Sequence, residues 1–119
     1  MADRLEETLV RLRTFVAVRE WEQFHDPKNL AMAVASEAGE LLAAYRWIAS
    51  VEADAWSMER ENRRRVAMEA ADVGISLLLL CDRIGVDLVS AMDEKIAINA
   101  ENYPVEMSRG RHERPVAGA

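Results

Sequence analysis

Two pairs of acidic residues, each spaced three positions apart, have the most specific chemistry in this sequence. Glu37 and Glu40 stand in SEAGELL, and Glu69 and Asp72 stand in MEAADVG. Residues three positions apart lie on one face of a helix, so each pair presents its two carboxylates in a common direction. Sites built from carboxylate oxygens alone suit Mg²⁺ or Mn²⁺. The pattern therefore indicates a site for a hard divalent cation.

The acids fall where a helix would otherwise bury apolar side chains. Glu37 lies inside one apolar stripe at helical spacing and Glu40 lies at its edge, while Glu69 lies inside a second stripe that Asp72 flanks. The stripes consist of Leu30, Ala33, Val34, Leu41, Ala44 and Ile48, and of Val66, Val73, Leu77, Leu80 and Ile84. If the two helices pack antiparallel, the four acids meet, and clustered, buried carboxylates require a neutralising cation.

Two kinds of cation would satisfy such a cluster. Arg46 and the arginines at 63–65 are near in sequence, and salt bridges to them would make the acids structural. A divalent metal ion would instead make the acids a functional site. A ferritin-like di-iron centre requires Glu-x-x-His motifs, and neither His25 nor His112 stands three residues after one of these acids. The spacing leaves the salt-bridge and metal interpretations open.

Four helices are predicted to position these residues. Apolar spacing and helix breakers place the helices at about 3–21, 27–50, 57–84 and 86–102. Local signals support these boundaries. Pro27 after Asp26 marks the start of the second helix, Ser57 is the predicted N-cap of the third, and Gly85 is the predicted terminator of the third. We expect residues 1–104 to form one helical catalytic domain. Residues 105–119 lack periodicity and are expected to be an extended or disordered tail.

The third predicted helix is apolar on nearly every side around Ile75–Leu80. Such a helix must be covered on more than one face, and three other short helices in a chain of 119 residues can hardly cover it. A second subunit is the simplest cover, and a central helix in a monomeric bundle is the alternative. We expect an all-α protein that works as a homo-oligomer.

Composition narrows the class of protein further. Five glycines and three prolines are too few for a turn-rich β-protein, and the net charge of −6 argues against binding a nucleic-acid polymer. The one cysteine, Cys81, excludes an intrachain disulfide and a cysteine-rich zinc site. The longest apolar stretch, VGISLLLLC, is too short to cross a bilayer. We expect a soluble, cytoplasmic protein without a membrane partner.

The acids and the segments around them resemble the MazG-like nucleotide pyrophosphohydrolases. The segments REWEQFHDPKNLAMAVASEAGELLAAYRW, EAADVGISLLLL, DLVSAMDEKIAINAENYP and SRG are similar to those of the dCTP pyrophosphatases, over roughly residues 5–110. The resemblance implies a four-helix MazG-like core that assembles into homodimers or homotetramers. It also implies Mg²⁺, with Mn²⁺ as a substitute, held by Glu37, Glu40, Glu69 and Asp72.

The resemblance further implies the activity of a nucleoside triphosphate diphosphatase. A nucleoside triphosphate would be hydrolysed to the monophosphate and pyrophosphate, with Glu40, or Glu37 beside it, orienting or deprotonating the attacking water. The expected substrate is dCTP or a modified dCTP, in house-cleaning of the nucleotide pool. Ser76 and Leu12 depart from the animal enzymes, which usually have Tyr and His at these positions, and both changes bear on selection of the base or sugar.

The residues expected around the nucleotide by this resemblance lie in several parts of the chain. They are Trp21, Trp47, Ser76, Lys95, Asn99 and Arg109. An aromatic face such as Trp47 stacks on a base, and the Asn99 amide has the donor and acceptor needed to read a base edge. Each also has an ordinary interpretation, since large aromatics favour a core and Lys95, Asn99 and Arg109 suit a solvated surface.

A non-catalytic helical dimer, either a nucleotide sensor or a protein-interaction module, is the competing functional class. Such a dimer would explain the apolar third helix. It would not explain why both central helices carry acids on their apolar faces, and the enzyme interpretation does.

Overall fold

The computed structural model describes residues 3–115, and within that range it contains helices and no strand. The α-helices are α1 Arg4–Val18, α2 Pro27–Tyr45, α3 Ala53–Met58, α4 Arg60–Ile84, α5 Leu88–Asn102 and α6 Val105–Ser108. Single-turn 3₁₀ helices occupy Glu22–Phe24 and Ser50–Glu52. The all-α prediction is confirmed, and the four predicted helices correspond to the four longer ones. No helix in the described range is long and apolar enough to span a membrane.

Helix α1 ends before the predicted segment 3–21 does, because the backbone leaves the helical conformation at Glu20. The Glu20 backbone has a φ of 56°, in the left-handed region that only glycine adopts without cost. Its N–H donates to the Ala17 carbonyl at 3.0 Å, and the Trp21 N–H donates to the Val16 carbonyl at 3.1 Å. These two hydrogen bonds form a Schellman motif, which ends the helix and directs the chain away from its axis.

Helix α2 begins where the sequence predicts. Pro27 is the first helical residue, and the Asp26 carboxylate accepts a hydrogen bond from the Asn29 backbone N–H at 2.9 Å. The Asn29 side-chain amide donates to the Phe24 carbonyl at 3.1 Å, which ties the preceding 3₁₀ turn to the start of α2. The helix ends at Tyr45, earlier than predicted.

An additional helix, α3, lies in the predicted connection and changes the role of Ser57. Ser57 lies inside α3, and its hydroxyl is 2.7 Å from the Tyr45 hydroxyl. The Tyr45 and Trp56 rings pack with centroids 5.1 Å apart. Helix α4 follows Glu59, whose carboxylate accepts a hydrogen bond from Asn62 at 3.1 Å. The prediction that Ser57 caps this helix is wrong, because its hydroxyl bonds to the end of α2 instead of to the α4 backbone.

Helices α2 and α4 make the most extensive helix pair within the compact unit that ends at Gly85. They run antiparallel, since Tyr45 at the end of α2 meets Ser57 just before α4. The residues that are buried within 3–115 come from α1, α2 and α4: they are Val16, Leu30, Ala44 and Cys81. The left-handed Gly85, with a φ of 72°, terminates α4 and confirms that prediction.

A second compact unit begins at Val86 and contains α5 and α6. The Asp87 carboxylate caps α5 by accepting from the Ser90 N–H at 2.9 Å, and none of the residues of α5 is buried. In the segment predicted to be extended, Val105–Ser108 form one helical turn. Residues 109–115 have neither helix nor strand, and the part of that prediction for residues 116–119 lies outside the described residues.

One bidentate ion pair joins α1 to α4. The Arg13 guanidinium donates to the two carboxylate oxygens of Asp82, at 3.1 Å from Nε and 2.6 Å from Nη2. The hydrogen bonds from Arg13 lower the pKa of the Asp82 carboxyl below its ordinary value; burial opposes them, and the Arg13 charge adds a smaller lowering of the pKa. The pair therefore stabilises the ionised form of Asp82 in the folded protein.

This lowered pKa gives the folded state a pH dependence that can be measured. Because the folded-state pKa lies below the unfolded value of about 3.9, the contribution of Asp82 is fully present above that value and is lost as pH falls through the folded-state pKa. We expect Asp82→Asn to lower the Tm near neutral pH and the difference from wild type to shrink in strong acid. Thermal unfolding followed by circular dichroism across this range measures the effect.

The matched control is Asp93→Asn, at an exposed position of α5 whose carboxylate has no ion pair among residues 3–115. It should leave the pH dependence of Tm unchanged. A Tm deficit in Asp82→Asn that is the same at all pH values would contradict the prediction.

Candidate metal and nucleotide site

Packing of α2 against α4 brings three of the four predicted acids together. One carboxylate oxygen from each of Glu37, Glu69 and Asp72 lies within 4.8 Å of the other two. Glu37 and Glu69 are half-buried and Asp72 is exposed. We call these three residues the acidic cluster.

Glu40 lies outside the acidic cluster although it is one helical turn from Glu37. Because α2 and α4 run antiparallel, a turn beyond Glu37 along α2 corresponds to a turn toward the start of α4, away from Asp72. The Glu40 side chain is exposed. Its carboxylate therefore stands beside the cluster, and its assignment as a fourth metal ligand stays a prediction.

The geometry of the acidic cluster fits a small divalent cation. Mg²⁺ binds oxygen at about 2.0–2.1 Å, so two ligands on opposite sides of one ion lie about 4.2 Å apart. Three oxygens that lie within 4.8 Å of one another are close to the separations that one such ion requires. A donor set of carboxylates alone favours Mg²⁺ or Mn²⁺ over softer metals.

The salt-bridge interpretation of these acids is not supported by the geometry. Arg46 and the arginines at 63–65 make no ion pair in the described part of the chain. The acids that pair with an arginine there are Glu6 and Asp82. Among residues 3–115 the acidic cluster therefore has no ion pair to offset its repulsion, and the metal interpretation is the one that stays open.

A cavity of about 610 Å³ opens beside the cluster, between α1, α2 and α4. We call it the site cavity. Its apolar wall consists of Leu12, Phe15, Val16, Trp21, Ile75 and Leu79, and its polar lining consists of Thr8, Arg11, His25, Glu37 and Ser76. Its volume is within the range of about 300–1,000 Å³ that small-molecule sites occupy. Because Glu37 belongs to both the acidic cluster and the site cavity, a ligand in the cavity would lie directly beside the acidic cluster.

Two of the residues predicted to bind substrate, Trp21 and Ser76, line the site cavity. The Trp21 ring packs edge-on against Phe15 with centroids 5.7 Å apart, and 43% of the residue remains exposed. It follows the left-handed turn at Glu20, so that turn places the indole at the cavity. Ser76 lies one helical turn after Asp72, on the same face of α4.

The other predicted substrate residues lie elsewhere. Trp47 follows α2 and is 87% exposed, and it does not line the site cavity. Lys95 and Asn99 belong to the second unit, where they lie one turn apart on α5 and are both exposed. Arg109 follows α6 and is also exposed. Their assignment to the nucleotide stays a prediction.

The structure adds cavity residues from α1 that sequence reasoning missed. Thr8, Arg11 and Phe15 line the site cavity together with Leu12, at the spacing of one helix face. That spacing is visible in the sequence as part of an amphipathic pattern. It does not reveal which helix this face meets, so the sequence offered no reason to connect Arg11 with the acids.

Comparisons with known proteins agree with this geometry. The MazG-like family profile matches residues 32–114, which include the whole acidic cluster. The protein named dCTP pyrophosphatase 1 from Rattus norvegicus is 40% identical over 96 residues, and the one from Homo sapiens is 38% identical over 95 residues. These alignments cover 81% and 80% of this chain but 56% of each relative. The chain thus spans little more than half the length of these relatives.

A solved structure is similar over nearly its full length. The crystal structure of a pyrophosphatase from Archaeoglobus fulgidus DSM 4304 gives a TM-score of 0.81 at 36% sequence identity. The alignment covers 87% of this chain and 95% of that chain. The fold, the acidic cluster and the matched segment agree: the chain belongs to the MazG-like family.

Proposed function

We propose that this protein is a Mg²⁺-dependent nucleoside triphosphate diphosphatase, which hydrolyses a nucleoside triphosphate to the monophosphate and pyrophosphate. The observation that carries the proposal is the convergence of Glu37, Glu69 and Asp72 beside a cavity of nucleotide size. Family membership supports the reaction class, as do the relatives named dCTP pyrophosphatase 1 and pyrophosphatase.

In this mechanism the acidic cluster would hold the metal ion, and the packing of α2 against α4 positions the three carboxylates. Glu37 reaches it from α2, while Glu69 and Asp72 reach it from α4, so the most extensive packing in this unit fixes the ligands. When bound, Mg²⁺ neutralises phosphate oxygens and lowers the pKa of a coordinated water. Mn²⁺ has the same ligand preference and is expected to substitute.

The acid outside the cluster is suited to act on the attacking water. A carboxylate bound to a metal has fewer lone pairs free to accept a proton, whereas Glu40 is exposed and stands beside the metal ligands. We assign to a Glu40 carboxylate oxygen the roles of orienting the water and accepting its proton. The water oxygen bonds to phosphorus, the α,β-phosphoanhydride bond breaks, and pyrophosphate leaves.

The substrate class follows from the apolar wall of the cavity and from the relatives. Phe15 and Trp21 provide aromatic surface against which a base can pack, and Ser76 provides a hydroxyl near the metal end. The names of the curated relatives favour dCTP, and we propose dCTP or a modified dCTP as the preferred substrate. Trp47, Lys95, Asn99 and Arg109 stay proposed as substrate-binding residues on the family resemblance alone.

We also propose that the protein is a homodimer or homotetramer. Within residues 3–115 only four residues are buried, and Leu77–Leu80 of α4 remain half-exposed in the single chain. Trp47 and Val51 are 87% and 92% exposed. Extensive exposed apolar surface marks interaction sites, and a second copy of the chain would cover it. A non-catalytic dimer would share this surface but leaves the acidic cluster without a role.

The reaction itself provides the first test of this function. With Mg²⁺ or Mn²⁺ and a panel of dNTPs, we expect pyrophosphate and the dNMP in equal amounts, and no turnover in excess EDTA. Separating the products by anion-exchange chromatography measures both. Release of orthophosphate alone, or full activity in EDTA, would refute the reaction. Equal kcat/KM for all four dNTPs would refute the dCTP assignment while leaving the reaction intact.

The Glu69→Gln variant tests the metal role of the cluster. Gln retains the shape but removes a charge from a repelling group, so the metal-free Tm should stay level or rise. Activity should fall by at least about 100-fold, on the scale of losing a charged active-site interaction. Mg²⁺ should raise the Tm of the wild type, because it binds the folded state, and should raise that of the variant less.

Thermal unfolding with and without Mg²⁺, beside a turnover assay, measures these effects. Glu61→Gln is the matched control, since Glu61 lies on the same helix outside the acidic cluster. It should retain both activity and the Mg²⁺ response. A large loss of metal-free stability in Glu69→Gln with an unchanged Mg²⁺ response would show that the acids are structural.

Assembly is tested by light scattering at micromolar concentration. A dimer or tetramer requires a mass of at least twice 13.4 kDa. The expected cause is burial of the exposed apolar surface described above. A monomer that retains full activity at the same concentration would contradict the proposal.

A further inference from the structure

Arg11 is a cation in the site cavity without a protein partner. Two nearby arginines are engaged: Arg13 of α1 pairs with Asp82, and Arg19, which follows α1, donates to the Phe15 carbonyl and stacks over the Phe15 ring. Arg11 is exposed, and its guanidinium makes no hydrogen bond or ion pair with any of residues 3–115. Arg11 thus lines the site cavity with a guanidinium whose five donors have no partner among residues 3–115.

Helix register places Arg11 on the side of the cavity that holds the acids. A neighbouring cavity of about 520 Å³ shares Val16 and Leu79 with the site cavity, so these residues form a common wall. Leu30 lines the neighbouring cavity, whereas Glu37, about 10 Å further along α2, lines the site cavity. On α1, the neighbouring cavity is lined only by residues from Arg13 onward, whereas the site cavity extends back to Arg11 and Thr8, so this earlier part of α1 lies away from the neighbouring cavity. Arg11 and Glu37 thus lie on the same side of the common wall.

The aromatic part of the cavity lies nearer that wall. Phe15 adjoins Val16, and Trp21 packs against Phe15. A nucleotide whose base lies against these rings would extend its phosphates toward Arg11 and Glu37.

We propose that Arg11 binds the phosphate tail of the nucleotide and positions it for cleavage, an inference that rests on the proposed hydrolase function. The three carboxylates of the acidic cluster carry more negative charge than a single Mg²⁺ carries positive charge. The acidic cluster with one bound Mg²⁺ would therefore have no surplus positive charge to attract a polyanionic tail. The planar guanidinium of Arg11 supplies that charge and is suited to bidentate hydrogen bonding with phosphate oxygens. Arg11 is accordingly a substrate-positioning residue for the leaving pyrophosphate.

Binding of tripolyphosphate in the presence of Mg²⁺ tests this role without requiring turnover. Isothermal titration calorimetry should show a Kd at least about tenfold higher for Arg11→Gln than for wild type, the scale expected for one hydrogen bond to a charged group. Arg11→Lys should recover part of the affinity, because it retains the charge but not the fork of donors. Arg4→Gln removes the same charge from α1 outside the cavity and should leave the Kd unchanged.

Two further measurements separate phosphate binding from other roles. Deoxycytidine, which has no phosphate, should inhibit wild type and Arg11→Gln with the same inhibition constant. With dCTP, Arg11→Gln should raise KM by a larger factor than it lowers kcat, while its Tm stays equal to that of Arg4→Gln. A structural role would lower the Tm, and a base-reading role would weaken deoxycytidine.

Several results would overturn the proposal. They are an unchanged tripolyphosphate Kd in Arg11→Gln, no binding of tripolyphosphate by wild type, or an equal weakening of tripolyphosphate and deoxycytidine. Failure of the hydrolase function is distinguishable from these results. If tripolyphosphate binding depends on Arg11 but no pyrophosphate is released from dNTPs, the hydrolase function is rejected and the phosphate site is retained. If pyrophosphate is released but tripolyphosphate binding does not depend on Arg11, the hydrolase function is retained and the phosphate site is rejected.

Discussion

Mutual repulsion among Glu37, Glu69 and Asp72 is the constraint on which the rest of this structure depends. Two unit charges 4 Å apart repel by about 1 kcal/mol in water and by about 4 kcal/mol near a protein surface. The packing of α2 against α4 holds three such groups within 4.8 Å, and no arginine of the described chain offsets them. Apolar contacts between these helices must therefore outweigh the repulsion in the absence of a metal ion. The proposed metal ion would therefore couple its binding to folding through the same three side chains.

The site cavity is lined partly by residues that the MazG-like profile matches and partly by residues outside the matched segment. The acids and Ser76 lie within residues 32–114, which the MazG-like profile matches. The opposite wall comes from α1 and the turn after it, which lie outside the matched segment and contribute Arg11, Phe15 and Trp21. The acidic cluster, which is the proposed metal site, thus lies within the segment that the family profile matches. The wall that meets the base and phosphate tail rests on a part that the profile does not cover.

Local backbone geometry connects that wall to the core. The left-handed conformation of Glu20 is unfavourable for a residue with a β-carbon, and it persists because two hydrogen bonds close the end of α1. Trp21 follows directly and packs on Phe15, while Val16 is buried. The same short segment therefore ends a helix, anchors it to the core and presents an aromatic ring to the cavity.

The sequence by itself determined the features that depend on neighbouring residues. The all-α class, the start of α2 at Asp26 and Pro27, and the end of α4 at Gly85 follow from propensity and capping, which act within a few residues. The two acid pairs were visible for the same reason, since i and i+3 share a helix face.

Only the tertiary structure decided which side chains meet. Ser57 bonds to the end of α2 instead of capping α4, and Glu40 stands beside the acidic cluster instead of within it. Arg11 enters the cavity that Glu37 lines. Each of these outcomes depends on the register and crossing of two helices, which is set by how their side chains pack together. No spacing within one helix specifies that register, because the contacts that select it join residues far apart in the chain.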